Sequence, residues 1–172
     1  DVSDFAPGGR QAAVVEYISV TKSNPYLVDV ASGKLTPIGD HSKAISYGGV
    51  KFAPDGTLWT TSDENSDVQR LGRLDPATGQ FRPVTQETRW DVEEFEISKD
   101  GRTIAYVINR AGIGQLMLLD VATGAVRAVT GLPAGQVGSL EFAPWGALGF
   151  SLTSAKSATD AFSLDPATLQ VT

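Results

Sequence analysis

Apolar residues in this chain come in short alternating runs, each closed by a turn-forming phrase. Val50 and Phe52, Phe95 and Ile97, and Leu140 and Phe142 alternate with polar neighbours just ahead of such a phrase. A second run follows each time, as in Thr57-Leu-Trp-Thr-Thr61 and Thr103-Ile-Ala-Tyr-Val107. A third ends before an aspartate: Tyr26-Leu-Val28, Leu71-Gly-Arg-Leu74, Leu116-Met-Leu-Leu119 and Phe162-Ser-Leu164. A short fourth run closes the unit, at Phe81-Arg-Pro-Val-Thr85 and Val126-Arg-Ala-Val-Thr130. Runs of about four to six residues bounded by Gly, Pro, Asn and Asp predict strands. No 3.6-residue amphipathic period extends beyond a turn or two, so helices are not expected.

The turn phrases repeat in register. Phe5-Ala-Pro-Gly-Gly9, Phe52-Ala-Pro-Asp-Gly56, Ile97-Ser-Lys-Asp-Gly101 and Phe142-Ala-Pro-Trp-Gly146 end on glycines spaced 47, 45 and 45 residues apart. Asp29-Val-Ala-Ser-Gly33, Asp75-Pro-Ala-Thr-Gly79, Asp120-Val-Ala-Thr-Gly124 and Asp165-Pro-Ala-Thr-Leu169 keep the same beat, their aspartates 46, 45 and 45 apart. Proline presets φ at a turn corner, and glycine accepts the positive φ that ends it. The phrases are therefore read as hairpin turns, not as ligand motifs. Four antiparallel strands per repeat of about 45 residues predict an all-β chain of β-propeller blades. The blades are expected at roughly 1–40, 46–86, 91–131 and 135–172, as a single partial propeller. The last copy stops before the end of its fourth strand, so a piece of a larger seven- or eight-bladed propeller is expected over a four-bladed ring.

Composition narrows the partners. The 172 residues are 41% hydrophobic and 20% charged, ordinary values for a folded chain. A net charge of −6 without a basic patch argues against nucleic acid. No apolar run is long enough to span a bilayer, so no membrane partner is expected. The absence of cysteine excludes disulfides and thiolate metal sites and leaves bacterial cytoplasm and periplasm both open.

Phe-Ala-Pro-Asp-Gly, Leu-Asp-x-Ala-Thr-Gly and the Val-Thr ending resemble the blades of TolB-like propellers, and more particularly those of the prolyl oligopeptidase family of serine peptidases. Trp90-Asp-Val-Glu-Glu-Phe95, Ile97-Ser-Lys-Asp-Gly-Arg102 and Gly149-Phe-Ser-Leu-Thr-Ser154 have the look of bacterial members. The resemblance covers essentially the whole chain. It implies a non-catalytic propeller segment that gates peptide access to an α/β-hydrolase domain absent from this chain. Peptide substrates and that catalytic domain would be its partners. The alternative is a TolB-like scaffold that binds proteins. Three positions depart from the turn pattern. Gly8 and Trp145 replace the aspartate, and Leu169 replaces the glycine, so the last turn is expected to change shape.

No catalytic residues are expected. Gly149-Phe-Ser-Leu-Thr153 misses the last glycine of a nucleophile elbow and lies in a predicted strand, which argues against Ser151. His41, the single histidine, is expected in a solvated connection between blades. Ser62-Asp-Glu-Asn-Ser-Asp67 spaces oxygen ligands like a calcium loop but has Val68 and Leu74 where Gly and Glu are required. No metal and no cofactor are expected. Trp59, Trp90 and Trp145 are read as packing between blades. Arg89-Trp-Asp-Val-Glu-Glu-Phe-Glu96 stands out, because the other copies carry Gly48-Gly49 and Gly138-Ser139 in its register. Asp91, Glu93 and Glu94 are the candidate substrate-binding residues, three carboxylates suited to a peptide's N-terminal amine. Blade faces left uncovered would also invite self-association.

Overall fold

The computed structural model describes residues 1–172 except Glu87 and Thr88. Among the described residues there are fifteen strands and no helix. They divide between two compact units, Asp1–Arg89 and Trp90–Thr172. The first unit holds two four-stranded sheets. One is β1 (Val2–Phe5), β2 (Gln11–Ser19), β3 (Lys22–Asp29) and β4 (Leu35–Pro37), the other β5 (Lys51–Phe52), β6 (Leu58–Ser62), β7 (Arg70–Leu74) and β8 (Phe81–Pro83). In the second unit, β9 (Val92–Ile97), β10 (Thr103–Arg110), β11 (Ile113–Asp120) and β12 (Val126–Ala128) form a third sheet. A fourth contains β13 (Gly135–Phe142), β14 (Leu148–Ser154) and β15 (Asp160–Leu164). In place of a fourth strand it has a single bridge from Leu164 to Val171. Every sheet is an antiparallel meander in chain order, as the hairpin reading requires.

Cross-strand register sorts the apolar residues into rows. Phe52, Leu58, Leu74 and Phe81 lie opposite one another across the second sheet. Phe142, Leu148, Leu164 and Val171 do so across the fourth. Each row belongs to the leading face, the one packed against the preceding sheet of the same unit. The preceding sheet answers with its trailing face: Ala13, Leu27 and Ile38 against Val50, Leu58 and Leu74 in the first unit. Ala105, Val107, Leu116 and Leu118 meet Phe142, Leu148, Phe150 and Leu152 in the second. Ala13 and Ala105 leave room for larger side chains opposite, and each fully buried large side chain is worth about 1.5–3 kcal/mol.

The turns do what their composition dictates. Gly56 N–H donates to Ala53 O at 2.9 Å, and Gly56 takes φ +86°. Asp55 accepts the Thr57 N–H at 2.9 Å, a bond that Trp145 cannot make in the fourth copy. In the second phrase the glycine N–H donates back to the aspartate carbonyl, as from Gly79 to Asp75 at 2.7 Å. The expected change of shape at Leu169 does not occur. Leu169 N–H donates to Asp165 O at 2.8 Å with φ +62°, close to the +72° of Gly79. The side chain packs against the second unit's core, and this contact offsets the roughly 1–2 kcal/mol that a left-handed residue costs.

A side chain at Gly79 faces a second obstacle: a Cβ there would overlap the Cα of Gly39, in the connection after β4. Gly124, in the equivalent turn with φ +73°, has open space around it. Gly124→Ala should therefore cost only the backbone term, about 1 kcal/mol, and Gly79→Ala several-fold more, read from urea unfolding midpoints.

The four phrase aspartates are all held below the usual carboxylate range by bonds inside their own turns. In Asp29 the Ser32 hydroxyl is the main cause; in Asp75, Asp120 and Asp165 it is a backbone N–H, from Ala77, Thr123 and Ala167. Their folded-state values lie below the unfolded one, so the unfolded chain takes up protons first. The stabilisation is complete above about pH 4 and is lost as pH falls through the lower folded-state values. Urea midpoints should decline below about pH 4, and Asp75→Asn plus Asp120→Asn should flatten that decline.

Candidate functional site

The acidic segment singled out in the sequence forms the start of β9. Val92, Phe95 and Ile97 are buried, leaving the carboxylates between them on the more open side. Glu94 is half-buried and reaches the fourth sheet. Its Oε1 accepts the Leu140 N–H at 2.9 Å and its Oε2 the Ser139 N–H at 3.2 Å. The donors are available because β13 bulges between Gly138 and Glu141, and Ser139 takes φ +55° there. A bulge leaves ladder groups unpaired, and a carboxylate is a strong acceptor for them. Gly138 leaves room for this approach, since a Cβ on it would lie 3.3 Å from Glu94 Oε2. The first unit has a counterpart. Ser3 Oγ accepts the Val50 N–H and Asp4 Oδ2 the Phe52 N–H, both at 2.8 Å.

Glu93 and Asp91 belong to a different network. Glu93 Oε1 accepts a bond from Asn109 Nδ2 at 2.6 Å, and Asn109 N–H donates to the Asp91 carbonyl at 3.1 Å. Asn109 Oδ1 in turn accepts the Gly112 N–H at 2.7 Å, tying in the β10–β11 hairpin. Thus Asn109 bonds the Glu93 carboxylate and the Asp91 backbone carbonyl, while the Glu94 carboxylate bonds the fourth sheet. Sequence reasoning passed over Asn109. Its signal was the Asn-x-x-Gly spacing, in which an Asn side chain can accept the N–H three residues on.

Other candidates take structural places. His41 is half-buried instead of solvated, with Nε2 at 3.1 Å from Pro25 O and 3.2 Å from Ile38 O. Its ring meets Tyr26 edge-on at 4.7 Å. The neighbouring Ser42 hydroxyl donates to Asp40, not to the imidazole. Ser151 lies within β14 and donates to Gly138 O at 3.0 Å. Asp63, first of the calcium-like oxygens, accepts the Ser46 N–H at 2.7 Å. Trp59 is buried with the Arg73 guanidinium 5.0 Å from its ring centre. Trp145 contradicts the packing expectation, being 82% exposed at the tip of its turn.

Trp145 stands on the rim of a groove of about 530 Å³ at the turn end of the second unit. Asp100 and Asp165 line it, but each is committed to its own turn, Asp100 to the Ser98 hydroxyl and Asp165 to the Ala167 N–H. Arg127 closes one side by donating to Pro166 O at 2.6 Å and to Ala167 O at 3.4 Å. A second hollow of about 400 Å³ lies at the other end of β10, lined by Arg110, Ile113, Gln115 and Leu132 among others. Neither groove lining includes a histidine or cysteine.

The sheet pattern recurs in solved proteins. It matches a prolyl endopeptidase with a TM-score of 0.81 and 15% identity, over 99% of this chain and 25% of that one. TolB from Agrobacterium tumefaciens matches at 0.79 and 15% identity, over 99% and 60%. Dipeptidyl peptidase 4 from Porphyromonas gingivalis matches at 0.70 and 16% identity, over 95% and 24%. The four sheets are β-propeller blades. In sequence, dipeptidyl-peptidase 5 of P. gingivalis is 25% identical over 136 residues, covering 76% of this chain and 20% of that protein. No family model matches the chain. The resemblance to peptidase and TolB propellers therefore holds at the level of the blade, and the chain spans a fifth to a quarter of the peptidases' length.

Within each unit, the first strand of the earlier blade supplies the acceptors that secure the first strand of the later one. Glu94→Ala should leave the Ser139 and Leu140 N–H groups without their acceptor and cost about 1–3 kcal/mol in urea unfolding. Glu93→Gln, which keeps a carbonyl for Asn109, should stay within about 0.5 kcal/mol of the parent.

Proposed function

We propose that this chain is the propeller segment of a serine peptidase of the prolyl oligopeptidase type, and that it limits access to a hydrolase domain elsewhere in the longer protein. The observation that carries this reading is the match to dipeptidyl-peptidase 5. It extends to sequence over 136 residues, whereas the likeness to TolB is one of fold. The segment contributes geometry instead of chemistry. A propeller admits an extended peptide and rejects a folded protein on size, and no residue on it needs to act as nucleophile or base.

Asp91 and Glu93 are proposed to meet the N-terminal amine of an incoming peptide at the hairpin-tip end of the third blade, with Glu94 beside them. A carboxylate favours a nearby cation, and Asn109 orients that of Glu93 by its hydrogen bond. The TolB-like scaffold reading has one observation of its own, the larger share of the relative that is covered, at 60%. The coding sequence after Thr172 separates the two. A Gly-x-Ser-x-Gly elbow followed by Asp and His supports the peptidase, and a stop codon after one completing strand supports the scaffold.

In the longer protein, a dipeptidyl or prolyl p-nitroanilide should be turned over, and the isolated propeller segment should be inactive. Asp91→Asn with Glu93→Gln should raise KM for peptides with a free N-terminus by about tenfold and leave N-acylated peptides unchanged. Turnover by the isolated segment, or equal effects on both substrate classes, overturns the proposal.

A further inference from the structure

Trp145 is a large residue to which neither the fold nor the proposed function gives a task. It stands where the second and third blades carry Asp55 and Asp100 in the same turn. The turn closes without an aspartate, since Gly146 N–H donates to Ala143 O at 2.9 Å and Gly146 takes φ +98°. The indole is 82% exposed, and among the described residues its ring meets no other ring and no cation. It lines the groove of about 530 Å³ in the second unit together with Phe142, Pro166, Asp100 and Asp165. An exposed tryptophan beside a groove is the kind of side chain that dominates binding surfaces.

The charges of the lining select the guest. Asp100 Oδ1 accepts the Ser98 hydroxyl at 2.6 Å and the Arg102 N–H at 3.0 Å, and Asp165 Oδ1 accepts the Ala167 N–H at 2.8 Å. A carboxylate has about four lone-pair sites, so both keep acceptor capacity. The same bonds hold both carboxyls below the usual range, the Ser98 hydroxyl foremost in one and the Ala167 N–H in the other, so both stay charged at neutral pH. Arg127 is the basic residue of the lining, and it is spent on Pro166 O and Ala167 O. The first unit shows the partner such a ring takes: the Arg73 guanidinium lies 5.0 Å from the centre of the Trp59 ring. We propose that the groove binds an arginine side chain presented by a peptide or protein segment, its guanidinium on the Trp145 ring and bonded to Asp100 or Asp165. A planar guanidinium stacks on an aromatic face and donates to a carboxylate in the same pose, which the point charge of lysine does less well. The groove lies at the opposite end of β10 from Asn109, so this site is separate from the proposed amine site and does not rest on the peptidase reading.

Fluorescence polarisation with the longer protein tests this. The probe is a Gly-Arg-Gly amide labelled with fluorescein at its N-terminus, which leaves no free amine for Asp91 or Glu93. It should bind at least about tenfold more tightly than the same peptide with citrulline, the uncharged isostere, in place of arginine. Trp145→Ala should remove that preference, Trp145→Phe should retain part of it, and Asp165→Asn, which keeps an acceptor for the Ala167 N–H, should reduce it. Because Trp145 is exposed, Trp145→Ala should leave the urea midpoint unchanged, so that lost binding is not lost folding. Equal affinity for the two peptides overturns the proposal, as does an arginine preference that survives Trp145→Ala. Failure of both peptides to bind overturns it too. The readout is blind to turnover, so a protein without peptidase activity would leave this inference standing, and failure here would leave the peptidase reading intact.

Discussion

Everything in each unit depends on one sheet covering the next. A four-stranded meander with strands as short as Lys51–Phe52 or Phe81–Pro83 cannot hold itself together by its ladder bonds. Its stability comes from pressing a row such as Phe52, Leu58, Leu74 and Phe81 against a neighbour whose facing residues are small enough to receive it. Ala13 and Ala105 serve that purpose, and both are fully buried. The repeated turns follow from the same demand, since the rows align only if every hairpin reverses at a set position. That is why Leu169 is held in a left-handed conformation that glycine occupies elsewhere.

Sheet packing alone leaves the later blades' first strands loosely specified, because a bulge interrupts β13 and β5 is only two residues long. The structure resolves this with side-chain acceptors from the earlier blade, Ser3 and Asp4 in one unit and Glu94 in the other. A carboxylate suits this place because two N–H groups converge there and solvent still reaches the charge. The same segment that holds the blades together also carries the acids proposed to meet a peptide. Glu94 serves the first task, whereas Asn109 bonds the Glu93 carboxylate and the Asp91 backbone carbonyl.

The candidate polar side chains hold structural bonds. Carboxylates in the grooves cap turns, the one histidine is packed between Tyr26 and two carbonyls, and Ser151 is a strand residue bonded to Gly138. On the reading proposed above, such a body excludes large substrates and leaves the chemistry to another domain.

The architecture was legible because it is written in local chemistry that repeats: proline and glycine at turn corners, aspartate capping its own loop, apolar residues at every second place. Repetition in register turned four weak strand patterns into one strong statement about blades. The site was legible only in part. That the β9 acids are unusual could be read from the glycines and serine in the other copies, but not which carboxylate would be engaged. Glu94 and Glu93 are neighbours in sequence, and only the bulge in β13 and the reach of Asn109 send them to different partners. The expectations for His41, Trp145 and Leu169 missed for the same reason. Each concerns burial or backbone strain set by residues distant in the chain. Sequence determined the repeat, the turns and the alternation of faces, because these depend on neighbours a few residues apart. Tertiary structure decided which faces meet, which carboxylate bonds a neighbouring blade and which tryptophan stays in water, because those outcomes depend on what lies across the sheet.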